Sequence, residues 1–554
     1  MIADLGTLTL TELCDKAADK FKKRVAFEVY RDDYTYNRFT YAEFFRMSVQ
    51  FAALLSSLGV RRGDRVMILS ENSPEWVIAY FGIAHTAAVS VPVLSDFSEV
   101  QIANIGVHTE VSAVCVSTKL FPKTSMLIKK MEEITSTSVP LIHLDSIAAE
   151  DGEGNGEQIR VTLYGVTKTL PLVQTAARAS VEDVSENDLA SIIYTSGTLS
   201  TSKAVMLSHK NIVWTAHASR SLMKVYPRDR LISVIPLAHT YECVLGLLAA
   251  VMSGASIVYL DRPPSPSALL PAIQALRPTI MIAVPLFIEK IYRSQIAPRL
   301  QKSLLSRCPL TRSMAIKIAG RRLLGIFGGA LRFFGVGGAP LSEDVEIFLR
   351  KAQFPYSPGY GLTETSPLVS GTAPYRFPMR SAGSVLTGVE VRIAGTGADV
   401  IGEIHVRGPN VMLGYYKDEA KTREAFTEDG WFKTGDLGFL DKKNHLFVRG
   451  RLKALILGPS GENIYPEEIE SLLYTSDLVE DALVCSGSRG EIVALVRLNE
   501  KAQTAIAALS DNIEELKNAV NKRLASFSRI NRIEIRREPF EKTPTAKIKR
   551  FLYP

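Results

Sequence analysis

Between Tyr194 and Lys203 the chain reads Tyr-Thr-Ser-Gly-Thr-Leu-Ser-Thr-Ser-Lys, a run of small and hydroxyl-bearing residues that ends on a cation. It overlaps the end of the apolar run 190–196. Exposed backbone N–H groups, hydroxyls and one ammonium together make a cradle for phosphate oxygens. The G-x4-GK[ST] spacing is absent, so the loop is not of the Walker type. Standing alone, it reads equally well as an ordinary polar loop. Other segments pose the same choice. His239 lies in Pro236-Leu-Ala-His-Thr-Tyr-Glu242, where a buried histidine is commonly just hydrogen-bonded core. Glu364, in Tyr356-Ser-Pro-Gly-Tyr-Gly-Leu-Thr-Glu-Thr365, is a hard oxygen donor suited to Mg2+, yet a Thr-Glu pair by itself is usually surface. The basic run Lys542-Thr-Pro-Thr-Ala-Lys-Ile-Lys-Arg550 would alone be a solvated tail.

Taken together and in order, these segments resemble the adenylate-forming superfamily of acyl-CoA synthetases, adenylation domains and luciferases. The 194–209 stretch is similar to its phosphate loop, YTSGTTG-x-PKGV. Thr195, Ser196, Thr198 and Lys203 match, whereas Leu199, Ser200, Ser202 and Ala204 replace Thr, Gly, Pro and Gly. Fewer glycines mean fewer backbone conformations for closing over a nucleotide. The 236–242 stretch resembles PL-x-H-x-x-E of the long-chain fatty acyl-CoA synthetases, which gives His239 a role beside the carboxylate or acyl chain. Gly337-Gly-Ala-Pro-Leu341 looks like the adenine-binding strand end, assigning Gly338, Ala339 and Pro340 to the base. The YG-x-TE motif implies nucleotide roles for Tyr360, Gly361 and Thr363 and a metal role for Glu364, with the Tyr360 ring as a flat face for the purine. Trp431-Phe-Lys-Thr-Gly-Asp436 matches W-x-x-TGD, whose aspartate holds both ribose hydroxyls. Gly450-Arg451-Leu-Lys453 resembles the next segment, with Arg451 on the nucleotide and Lys453 as the domain hinge; Ala454 stands where a carboxylate is common. Gly461-Glu-Asn-Ile-Tyr-Pro-Glu-Glu-Ile-Glu470 and the 542–550 run complete the series. In the latter the resemblance makes Lys547 the adenylation lysine, and Ala546 replaces the usual Gly.

The resemblance implies ATP, Mg2+ and coenzyme A as cofactors, a fatty acid as substrate, and catalytic roles for Lys547, His239 and Thr195. It also implies a C-terminal domain that turns about Lys453 between two half-reactions. One alternative keeps the chemistry and makes an acyl carrier protein the acceptor. Another makes the chain a nucleotide or acyl sensor without turnover.

Such groups need a scaffold. Short β-branched and apolar runs at 64–70, 111–117, 190–196, 255–260 and 279–284 alternate with helical stretches, the pattern of largely parallel sheets covered by helices. The fold class is α/β. A large N-terminal domain, 1–450, is expected to carry the ATP and acyl sites. A small mobile α+β domain, 451–554, should follow, with a helix opened by Pro466 and another near Asp511 striped by Ile513, Leu516, Val520 and Leu524. At 554 residues the chain is long enough for both.

Composition narrows the rest. The formal charge is +7, but 290–342 holds ten Lys or Arg and no Asp or Glu. A nucleic-acid role is not expected, because the stretch is largely apolar and glycine around 323–334 rather than interleaved with exposed aromatics. It reads either as a peripheral membrane contact or as a core helix with a solvated basic face. In the first case Leu304, Leu305, Met314, Ile316, Ile318, Leu323, Leu324, Ile326 and Phe327 would enter the lipid boundary, and Arg307, Arg312, Lys317, Arg321 and Arg322 would meet headgroups. Five scattered cysteines form no metal-ligand spacing, and no secretory signal opens the chain. A cytoplasmic protein, at most peripheral to the membrane, is expected. The charge-free run 243–260 is broken at 252–256 and is expected to turn rather than span a bilayer.

Overall fold

A computed structural model describes residues 6–31, 38–135, 138–147, 158–163, 166–171, 183–195, 203–303, 305, 309–395, 401–457, 463–476, 478–487, 491–499, 502, 509–542 and 548–553. Two nine-stranded sheets, covered by helices, make the body of the molecule. All five apolar runs become strands within them: Arg65–Leu69, Val111–Val116, Leu189–Tyr194, Ser256–Leu260 and Ile280–Ala283. Their β-branched side chains fill the pleated, buried faces that such residues favour.

In one sheet Val25–Tyr30, Ser256–Leu260, Arg230–Ile232, Ile280–Ala283, Phe333–Val336 and Tyr356–Tyr360 are parallel neighbours. The chain therefore leaves every one of them at the same rim. In the other sheet, Leu189–Tyr194 pairs antiparallel with Ala204–Ser208, so the phosphate-loop segment is a connection between two paired strands.

Several short polar segments act locally as helix starts. Thr40 caps the helix Tyr41–Ser57: its hydroxyl accepts from Glu43 N, and the Glu43 carboxylate accepts from Thr40 N at 2.7 Å. Ser73 caps Pro74–His85 with Pro74 in the first turn, and Trp76 is fully buried. The run 243–260 turns as expected. A π-helical stretch, Tyr241–Leu248, passes into Ala249–Ser253, which Gly254 ends in the left-handed region at φ 74° before the strand Ser256–Leu260. Among the described residues no helix is long and apolar enough to cross a membrane.

The middle of the basic stretch forms the helix Pro309–Ile326, and of the two readings left open for it the core helix holds for most of the apolar residues named. Leu323 and Phe327 are fully buried, and Ile316, Leu324 and Ile326 pack against the same core. A side chain that fills a protein core is not available to lipid. Leu305, Met314 and Ile318 are exposed; Leu304 and Arg307 lie outside the described residues.

A four-stranded antiparallel sheet containing Phe432–Leu440 and Leu446–Arg451 leads to a separate C-terminal α+β unit. There a sheet of Val479–Ser486, Ile492–Leu498 and Arg532–Arg536 packs with the helices Pro466–Leu473 and Leu509–Asn521. Pro466 opens its helix, and Leu516 and Val520 are buried as their spacing requires. Arg449 Nη1 meets Glu468 at 2.8 Å and Arg523 Nη2 meets Glu343 at 2.6 Å, tying this unit to the body.

Candidate active site

The rim at which the parallel strands end gathers most of the expected residues, as open α/β sheets do. Gly338, Ala339 and Pro340 follow Phe333–Val336 and are exposed there. Tyr360 closes its strand, followed by Gly361, Thr363 and Glu364. A Cβ at Gly361 would lie 1.7 Å from the Pro367 carbonyl oxygen, so only glycine lets the two backbone segments pass.

Asp436 organises one half of the site. The Tyr360 hydroxyl donates to its Oδ2 at 2.7 Å, and Arg451 Nε meets its Oδ1 at 2.7 Å. Asp436 and Arg451 are cross-strand partners, so the ladder itself sets their separation. Asp436 is buried while the Arg451 side chain is about half exposed, at 48%. Burial and then the Asp436 charge hold the Tyr360 hydroxyl well above its usual range. It therefore stays a donor. The result is a fixed carboxylate beside an aromatic face and an exposed guanidinium, able to bind a diol, a flat ring and an anion.

Lys203 organises the other half. Thr195 N donates to the Lys203 carbonyl at 3.0 Å, and the Thr195 hydroxyl accepts from Lys203 N at 3.2 Å, which closes the base of the loop. The Lys203 ammonium donates to the Tyr415 hydroxyl at 3.0 Å, which in turn donates to Glu364 Oε1 at 3.1 Å. Tyr415 thus links the expected phosphate cation to the expected metal ligand. Burial pushes the Lys203 pKa down, opposed by Glu364 and reinforced by the charges of Lys453, Arg451 and Lys421. A cation in surplus positive charge suits a polyanionic ligand. Beside it a cavity of about 260 Å3 is lined by His108, Tyr194, Lys203, Lys417 and Lys421.

His239 is placed by a longer chain of contacts. Asn72 Nδ2 donates to the Ile235 carbonyl at 2.6 Å, and Asn72 Oδ1 accepts from Leu237 N at 2.7 Å, clamping the segment that leads to it. His239 Nδ1 accepts from Tyr241 N at 3.2 Å. Behind it Glu242 is buried, donated to by Ser233 at 2.5 Å, and burial pushes its carboxyl up to about 8.

Ser196, Thr198 and Lys547 lie outside the described residues. Lys453 is exposed in the 3-10 turn Leu452–Ala454. Tyr415 and Asn72 were not singled out as site residues from sequence; both act across more than 150 positions, where no spacing signal exists. The residues fit a magnesium nucleotide. Among the described residues no group of three or more His, Cys, Asp or Glu could hold a metal. One carboxylate, Glu364, with phosphates completing the shell is the usual way Mg2+ is held.

The AMP-binding enzyme family pattern matches residues 14–416, and that of the AMP-binding enzyme C-terminal domain matches residues 454–552. The long-chain-fatty-acid CoA ligase FadD15 of Mycobacterium bovis is 30% identical, covering 91% of this chain and 88% of its own. ACSBG1 of Rattus norvegicus, with the same described activity, is 25% identical over 92% of this chain and 73% of its own. The fold is shared with o-succinylbenzoate CoA synthetase of Bacillus subtilis solved with its acyl-adenylate, at a TM-score of 0.75, 24% identity and coverage of 98% of both chains.

Proposed function

The chain belongs to the AMP-binding enzyme family, and on that footing we propose that it joins a long-chain fatty acid to AMP and hands the acyl group to coenzyme A. At the coarser level it is an AMP-forming acid–CoA ligase that uses ATP, Mg2+ and coenzyme A. The observation that supports adenylate chemistry is that three sheets bring Asp436, Tyr360 and Arg451 together with Lys203, Tyr415 and Glu364; the long-chain substrate is supported by the likeness to FadD15.

A carboxylate is a poor electrophile, so its oxygen must first become a good leaving group. In the first step a carboxylate oxygen bonds to the α-phosphorus of ATP while the bond to the β-phosphate breaks and pyrophosphate leaves. In the second, the thiol sulfur of coenzyme A bonds to the acyl carbon, the acyl–oxygen bond breaks, and AMP departs. Asp436 accepts from the ribose hydroxyls and Tyr360 stacks on the base. Arg451 and Lys203 neutralise phosphate charge. Glu364 would hold Mg2+, which supplies charge neutralisation on the phosphates. Tyr415 keeps Lys203 and Glu364 in register. Thr195, Ser196 and Thr198 donate to phosphate oxygens, with Gly338, Ala339, Pro340, Gly361 and Thr363 around the base. His239 orients the carboxylate. Lys547 bridges carboxylate and α-phosphate in the first step, with domains 1–450 and 451–554 turning about Lys453 before the second. Fixed charges aimed at developing charge are the larger catalytic contribution in such reactions.

Pyrophosphate release with a panel of acids tests the substrate. Best activity with acetate or an aromatic acid overturns it. Replacing coenzyme A by an acyl carrier protein tests the acceptor. Membrane contact is reduced to the outer face of Pro309–Ile326, where Met314 (60% exposed) and Ile318 (46%) sit among Arg312, Lys317, Arg321 and Arg322. Co-sedimentation that ignores anionic lipid content and salt would count against it.

A further inference from the structure

On the opposite rim, where the parallel strands begin, a cavity of about 590 Å3 opens between Val25, Arg230 and Ser256, the first residues of their strands. A strand rises about 3.3 Å per residue, so the five residues of Ser256–Leu260 alone keep this rim roughly 15 Å from the nucleotide rim. The two are separate places.

The cavity wall is basic in an uneven way. Its two carboxylates already have partners. Asp229 receives both Nε and Nη2 of Arg332. Glu28 lies 3.4 Å from Arg230 and 3.6 Å from Arg38. Four other cations line the same cavity without a carboxylate partner among the described residues: Lys23, Arg24, Arg228 and Arg277. Arg24 spends its hydrogen bonds on neutral acceptors, the carbonyls of Gly254 and Pro227. Arg277 Nε donates to the Gly328 carbonyl at 3.1 Å. Arg228 lies over the Tyr226 ring at 5.5 Å. Carbonyls and an aromatic ring hold these guanidiniums in place, and none of the three has an ion pair among the described residues.

The floor asks for something different. Glu28 is 3% exposed, and its Oε2 makes no hydrogen bond among the described residues, its contact there being the ion pair with Arg230 Nη2 at 3.4 Å. A buried acceptor of that kind calls for an O–H or N–H donor. Anionic groups at the rim and a hydroxyl at the floor are the two ends of one kind of molecule. We propose that this cavity is a binding site for a phosphorylated polyhydroxyl compound, such as a sugar bisphosphate or an inositol phosphate headgroup, with phosphates on Lys23, Arg24, Arg228 and Arg277 and a hydroxyl on Glu28. The volume is within the range of small-molecule pockets. Nothing in the carboxylate-activating chemistry requires it.

The test uses the full chain and titrates it calorimetrically with fructose 1,6-bisphosphate and with inorganic phosphate. In parallel the protein is co-sedimented with vesicles carrying a phosphoinositide. The sugar bisphosphate should bind at least tenfold more tightly than inorganic phosphate, and added AMP should not displace it. The double variant Arg228→Gln, Arg277→Gln should weaken binding at least tenfold while keeping the parent's melting temperature and acid-dependent pyrophosphate release. Binding to vesicles alone, lost in the same variant, would support the site and name a lipid headgroup as its source. Binding to neither probe, equal binding of inorganic phosphate, displacement by AMP, or undiminished binding by the variant would each overturn the proposal.

Discussion

Arg451 and Asp436 face each other across one antiparallel ladder, with Arg451 Nε 2.7 Å from Asp436 Oδ1 and the other carboxylate oxygen taken by Tyr360. A carboxylate held on both sides cannot swing away, so it is presented to a ligand in one orientation. Asp436→Asn keeps the shape and removes the charge. Hydrogen bonds to charged groups contribute roughly 1.5–3 kcal/mol, so KM for ATP should rise about 10- to 100-fold, with melting temperature little changed. Steady-state kinetics with ATP varied at saturating acid checks this.

Tyr415→Phe removes one hydroxyl and with it the link between Lys203 and Glu364. Adenylation should slow by about tenfold, the scale of one or two hydrogen bonds. The magnesium concentration for half-maximal rate should rise, while KM for coenzyme A stays as in the parent. A magnesium titration of both proteins separates these outcomes.

The Lys203 ammonium loses its proton more readily than an ordinary lysine, because burial disfavours the charge and three neighbouring cations add to it. In kcat/KM for ATP, which reports the free enzyme, the alkaline limb should therefore fall below the ordinary lysine range. Lys421→Gln removes one of those cations and should move the limb upward. A limb at the ordinary lysine position in both proteins would contradict the assignment.

Glu242 gives a stability prediction of definite sign. Burial raises its folded pKa from 4.5 to about 8. The folded state then binds the proton more tightly than the unfolded state, so the contribution is complete below about 4.5 and is lost as pH rises through about 8. Glu242→Gln, neutral throughout, should flatten the pH dependence of unfolding free energy over that window. Denaturant melts at several pH values read it directly.

Lys453→Pro addresses the hinge. A proline fixes φ and removes the N–H, so acyl-AMP formation should persist while thioester formation is blocked. Equal loss of both would reject Lys453 as the pivot.

The strands and the family motifs were legible because each depends on neighbours in sequence. The run 190–196 overlaps the strand Leu189–Tyr194, and Pro466 opens the helix Pro466–Leu473 as its place in the sequence led one to expect. What joined the motifs into a site was not legible. Tyr415 reaches Lys203 across 212 positions and Glu364 across 51, and Asn72 clamps Ile235 across 163. Those contacts are products of sheet order, which no local periodicity encodes. Which of the two readings held for the helix Pro309–Ile326 was open for the same reason. Its composition suited lipid, but neighbouring elements buried Leu323 and Phe327.

The central claim is that a fatty carboxylate is activated as its adenylate before any thiol takes part. The most direct measurement is mass-spectrometric trapping of acyl-AMP from the purified protein with ATP, Mg2+ and a long-chain fatty acid, first without coenzyme A and then after a coenzyme A chase. The account predicts acyl-AMP on the enzyme, with equimolar pyrophosphate, that the chase converts to acyl-CoA and AMP. In Lys547→Ala the first stage should fall by orders of magnitude, while supplied acyl-AMP is still converted. Absence of acyl-AMP with every fatty acid tried, or acyl-CoA formed with ADP and phosphate in place of AMP and pyrophosphate, would contradict it.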